Sequence, residues 1–158
     1  MSALYHIQDE PRPGTLARLT VNPVFPLLAM MMAGSWLGLP WFVFNAFALG
    51  SVTRRKELGI ALGVVPGTLL LYLLLGLLYT RGVLPERALP YAAVGITVWK
   101  LTLGYVLFEL QQRSFALHEY YGGPVRNGAL VLVAGIAVGT SVVMRFWGAN
   151  PLMWVVLG

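Results

Sequence analysis

Residues 90–110, PYAAVGITVWKLTLGYVLFEL, decide the class of this chain: the run is apolar, long enough to cross a bilayer, and carries Lys100 at its middle. A cation at that depth costs about 2.5 to 3.5 kcal/mol on insertion, so such residues usually face protein or water rather than lipid. On a helix Lys100 shares a side with Thr97 and Gly104, whereas Glu109 projects almost opposite and cannot neutralise it. Two roles are open to the lysine. Its stem is long enough to snorkel toward the interface or to reach a fixed structural partner. Alternatively it lines a polar cavity or pore, or binds an anionic headgroup.

Composition agrees with the class. Of 158 residues, 58% are hydrophobic and only 11% charged, against about 25% charged in soluble domains. The mean hydropathy is +0.73. Little polar sequence remains for a separate soluble domain. The absence of cysteine removes disulfides and thiolate metal sites. A net charge of +5 would point to nucleic acid in a soluble chain, but here the basic residues flank apolar spans and fit headgroups and membrane orientation instead.

Taken in order, residues 1–22 form a polar arm broken by Pro11 and Pro13, with a short interfacial turn possible near Thr15 and a solvated His6. Residues 23–158 form the membrane domain, with spans expected over 24–49, 58–79, 90–110 and 129–147. The first span exceeds the roughly 20 residues a bilayer requires and must tilt or kink, for which Pro40 is the candidate. Small residues let helices approach closely, which makes Gly34 and Gly38, Gly59, Gly63 and Gly67, and Gly135 and Gly139 packing candidates. Asn45 can hydrogen-bond across such a contact. Residues 80–87 read as a turn, and residues 111–128 as a polar interval along the membrane surface. After Trp147, Asn150 and Pro151 stop the last helix.

Arg54, Arg55, Lys56, Arg113, His118, Arg126 and Arg145 are the candidates for headgroup or interfacial contact. Four crossings put both termini on one side, with five basic residues there (Arg12, Arg18, Arg81, Arg87, Arg145) and five opposite (Arg54, Arg55, Lys56, Arg113, Arg126). That tie leaves orientation open. The stretches GLPWFVFNAFALGS and LQQRSFALHEYYGGPVRNG resemble small bacterial four-helix membrane proteins that share an asparagine, a Leu-Gly helix end and a Gly-Gly re-entry, a group with no assigned activity. The resemblance implies the helix count alone.

The chain carries few motifs associated with chemistry. There is no phosphate loop, no H-E-x-x-H, no G-x-S-x-G and no paired-carboxylate spacing. His118 and Glu119 are adjacent, so on a helix their side chains diverge by about 100 degrees and make a poor acid/base pair. The expectation is an all-α, four-span bundle in a bacterial inner membrane, with no catalytic residues, metal, cofactor or nucleic acid. Its leading role is an oligomeric, non-enzymatic polar path for ions or solutes, with Lys100, Thr97, Asn45 and Glu109 along it. A structural subunit docked on a partner membrane protein, or a lipid-modifying enzyme using His118, Glu119 and Arg126, are the alternatives.

Overall fold

A computed structural model describes residues 15–147, with the side chains of 140 and 142–147 excepted. His6, Arg12, Asn150 and Pro151 lie outside the described residues, and nothing follows for the Arg145 side chain. The described residues are all-helical: a 3-10 turn at Thr15–Leu19, α1 (Val24–Met32), α2 (Ser35–Leu49), α3 (Arg54–Thr80), a second 3-10 turn at Glu86–Ala88, α4 (Leu89–Tyr120) and α5 (Ala129–Trp147). Two of them, α3 and the stretch Glu86–Tyr120, are long and apolar enough to cross a membrane. At about 1.5 Å per residue, the 27 residues of α3 span about 40 Å.

The continuous helix expected over 24–49 is instead two antiparallel helices, a hairpin that reverses at Ala33 and Gly34. Val21 N–H donates to Asn45 Oδ1 at 3.0 Å, Phe25 stacks on Trp41, and Met30 lies against Gly38. The pairs straddle residues 33 and 34, which is the register of a chain folded back on itself. The reversal requires glycine at position 34, because its φ of 101° and ψ of 179° lie where a Cβ is strongly disfavoured. Gly38 then lets the arms close: a Cβ there would sit 2.5 Å from Met30 Cβ. Pro40 lies within α2 without ending it. The break is thus at Gly34, not at Pro40, and Gly34 acts as a turn.

The hairpin is the centre of the fold. On one side it packs against α3 and α4, and on the other against α5. α3 and α4 form a second antiparallel pair about the turn at residues 81–88, as the contact of Gly67 with the Trp99 ring shows. α5 passes along the hairpin from base to tip, with Gly128 against Phe25, Gly135 against Leu37 and Gly139 against Trp36. Gly38, Gly67, Gly135 and Gly139 therefore lie at close helix contacts. Gly59 and Gly63 do not, since a Cβ on either would meet nothing. Nor do residues 111–120 lie along a surface: they extend α4 by nearly three turns, and only the chain from Tyr121 to Gly128 is irregular.

A core of Met30, Leu39, Phe42, Ala61, Val64 and Leu107 joins the hairpin to α3 and α4. Outside it the long helices stay uncovered: 17% of the most apolar window of α3 and 22% of that of α4 is buried. Leu62, Leu70, Leu73, Tyr91, Val94 and Val98 all face outward. A core helix of a water-soluble protein would be covered on such a surface, because contiguous exposed apolar area drives association.

Candidate functional site

Two polar features lie at opposite ends of the hairpin, separated by the apolar core. The first is at its base, where α2 ends in Gly50 with a left-handed φ of 61° and the chain turns through Ser51 and Thr53 into α3. That turn brings both hydroxyls to Glu57, a carboxylate only 1% exposed. Ser51 Oγ donates to Glu57 Oε1 at 2.5 Å and Thr53 Oγ1 to the same oxygen at 2.6 Å. The second oxygen, Oε2, accepts from Gln111 Nε2 at 2.9 Å. Gln111 also donates to the Phe42 carbonyl at 2.7 Å and accepts from Asn45 Nδ2 at 3.0 Å. Ser114 closes the far side at 3.2 Å from Ser51.

This network ties Val21, α2, α3 and α4 together, and each of its side chains has a partner. A buried carboxylate is tolerated on those terms, and the N-terminal turn of α3 adds a favourable helix dipole. It is a clasp rather than an open binding site.

The second feature is a cavity of about 730 Å³ beyond the hairpin's tip. Its floor is the end of α1 and the turn, Met30–Ser35. Tyr72 to Tyr79 of α3 form one wall and Leu89 to Leu101 of α4 the other. Lys100 lines it while remaining 7% exposed, and Thr97 lines it one turn earlier. The Thr97 hydroxyl donates to the Ala93 carbonyl of its own helix at 3.3 Å. Ser35, the first residue of α2, is 2% exposed, and its hydroxyl has no hydrogen-bond partner. Gly34, at the cap position before it, offers no side-chain cap to the α2 N-terminus.

Of the four residues expected to share a polar path, the structure brings Lys100 and Thr97 together at the cavity. Asn45 is fully buried at the opposite end of the hairpin. Glu109 is exposed beside Tyr105, away from the cavity. Arg54, Arg55, Lys56, Arg113 and Arg126 are all exposed around the hairpin's base, with Arg126 Nε reaching the Arg18 carbonyl at 3.4 Å. His118 is not a surface residue: it is buried, with Nε2 3.2 Å from the Pro124 carbonyl and its ring against Gly123. Glu119 beside it is exposed, so the pair shares no site.

Sequence reasoning missed Ser35, Glu57 and Gln111. The sequence does carry a signal for Ser35, since Gly34-Ser35 reads as a helix stop followed by a helix start. Glu57 is hidden inside a basic cluster and Gln111 inside an apparent surface stretch. Among the described residues no three His, Asp or Glu side chains converge in a way that could hold a metal ion. No protein family, curated protein or solved structure matches the chain.

Proposed function

We propose that this is a multi-pass membrane protein of a bacterial-type cytoplasmic membrane, in which α3, α4 and α5 cross and α1 with α2 enter and leave from one face as a re-entrant hairpin. In this arrangement the cavity beyond the tip takes up an anionic solute, without chemistry. The single observation that carries the reading is Lys100, a buried cation at mid-helix on the wall of a cavity. Irregular backbone at such depth is tolerated where protein or a cavity surrounds it, as at the hairpin's turn.

The hairpin also breaks the charge tie. With α1 and α2 returning to one face, Arg18, Arg54, Arg55, Lys56, Arg113 and Arg126 gather at the base side, and the chain positions of Arg81, Arg87 and Arg145 fall at the other. Six against three favours a cytoplasmic base and an outward-facing cavity. Within one copy the core of Phe42, Val64, Leu107 and their neighbours stands between the cavity and the base. The reading is therefore a binding vestibule. A path through the membrane would have to run between copies.

The chain has no cysteine, so a single Thr97→Cys variant gives a clean reporter on the cavity wall. Two methanethiosulfonates, one bearing a sulfonate and one a trimethylammonium group, compete from outside. At about 4 Å in a fully wet site, each unit charge is worth about 1 kcal/mol beside the amine, so the anion reacts roughly thirtyfold faster than the cation. Lys100→Gln removes the preference while insertion survives. A Thr97→Cys thiol that reacts with neither reagent, or with both at equal rates, contradicts the reading.

A further inference from the structure

We propose that the solute taken up at the tip is an anionic amphiphile: a single hydrocarbon chain bearing a carboxylate or phosphate head, seated with the head at Ser35 and Lys100. The inference rests on the anion-accepting cavity above and names what that cavity selects. Three observations carry it. The volume, about 730 Å³, is in the range of sites for drug-sized ligands and several times what an inorganic anion fills. Polar groups lie at the cavity's floor as well as at Lys100 on the wall. At the floor the α2 N-terminus presents its first backbone amides and positive dipole end without a side-chain cap. Beside it the Ser35 hydroxyl is buried with no hydrogen-bond partner. A buried donor left unpaired is costly, so a native one asks for an explanation such as an acceptor that arrives with a ligand.

The third observation is the rest of the lining. Met31 and Met32 are exposed at the tip, and with Leu75, Ile96 and Leu101 they give the walls an apolar character. Methionine is unbranched and adapts to flexible apolar partners. A small hydrophilic anion would leave these walls wet, and an alkane without a polar head would leave the Ser35 hydroxyl without an acceptor. A molecule with both parts satisfies both halves of the cavity.

The test uses the full chain in nanodiscs with Thr97→Cys and the sulfonate reagent, and asks which molecules protect the thiol. Laurate and a lauroyl lysophosphatidate carry head and chain, acetate and inorganic phosphate carry the head alone, and monolaurin carries the chain alone. Protection by laurate or lysophosphatidate at concentrations at least tenfold below any of the other three is the expected result, and the stronger of the two identifies carboxylate or phosphate. Equal protection by acetate or phosphate overturns the amphiphile while leaving the anion cavity standing. Equal protection by monolaurin overturns the role of the head. Loss of charge preference in the unprotected reaction is a failure of the underlying reading instead. Ser35→Ala provides the second variant. It removes an unpartnered hydroxyl, so thermal stability holds or rises, while the protecting concentration of the amphiphile increases about tenfold. An unchanged protecting concentration excludes Ser35 from the head site and overturns the seating proposed here.

Discussion

Replacing Gln111 by leucine should unfasten the hairpin from α3 and α4. The two side chains are similar in volume, so the change removes hydrogen bonds rather than packing. Three groups lose a partner at once: the Glu57 Oε2 carboxylate oxygen, the Phe42 carbonyl and one Asn45 amide proton. The Phe42 carbonyl keeps its bond within α2, whereas a neutral group stranded in the interior costs about 1 to 3 kcal/mol and a carboxylate costs more. Glu57 keeps the Ser51 and Thr53 donors on its other oxygen, which limits the damage. The total comes to about 3 to 5 kcal/mol, the range found when one member of a buried charged pair is removed.

The assay is reversible unfolding in mixed micelles of rising dodecyl sulfate fraction, followed by circular dichroism. A second variant, Glu57→Met, and the double variant complete a cycle. Once the carboxylate is gone Gln111 matters less, so the double variant should be milder than the sum of the two by at least about 1 kcal/mol. A cost below about 1 kcal/mol for Gln111→Leu, or strict additivity in the cycle, refutes the clasp.

The hairpin makes two further demands on single glycines. Gly38→Ala forces a methyl to within 2.5 Å of Met30 Cβ and should cost about 1 to 3 kcal/mol by overpacking. Gly63→Ala meets open space and should be neutral, or stabilising by up to about 1 kcal/mol through helix propensity, in the same unfolding assay. Gly34→Val places a β-branched residue at φ 101° and should destabilise by about 1 to 3 kcal/mol or more, with loss of the Trp41 near-ultraviolet signal that reports its packing on Phe25. Equal effects at positions 38 and 63 would mean that the hairpin arms are not in contact.

How much of this was legible follows from where the physics is local. The antiparallel pair α3 and α4 and its turn were readable, because long apolar runs ended by Gly82 and Pro85 specify a helix, a stop and a return. The start of α5 was readable for the same reason: Gly128 precedes it and an apolar pattern follows. Residues 24–49 were not, because an apolar run of about 39 Å fits one tilted crossing or two short arms equally well by hydropathy. What separates them is a left-handed turn at one glycine and pairings such as Val21 with Asn45, which are tertiary. Lys100 and Thr97 stood out because a charge in an apolar helix has few inexpensive places to go. Ser35 reaches the same cavity only after the chain reverses at Gly34. Glu57 is the clearest case of tertiary override. Its three basic neighbours are exposed, yet the Ser51 turn and Gln111 together draw the carboxylate inside.

The most direct measurement of the hairpin places single cysteines at Leu16, Val52 and Val83, three exposed positions in a chain with no cysteine of its own. An impermeant maleimide is applied to intact cells and then after permeabilisation. Leu16 and Val52 flank the hairpin and should label together, only after permeabilisation, while Val83 in the turn between α3 and α4 labels from outside. Labelling of Leu16 together with Val83, and apart from Val52, would mean that residues 24–49 cross once. The hairpin, the charge assignment and the outward cavity would fall with that result.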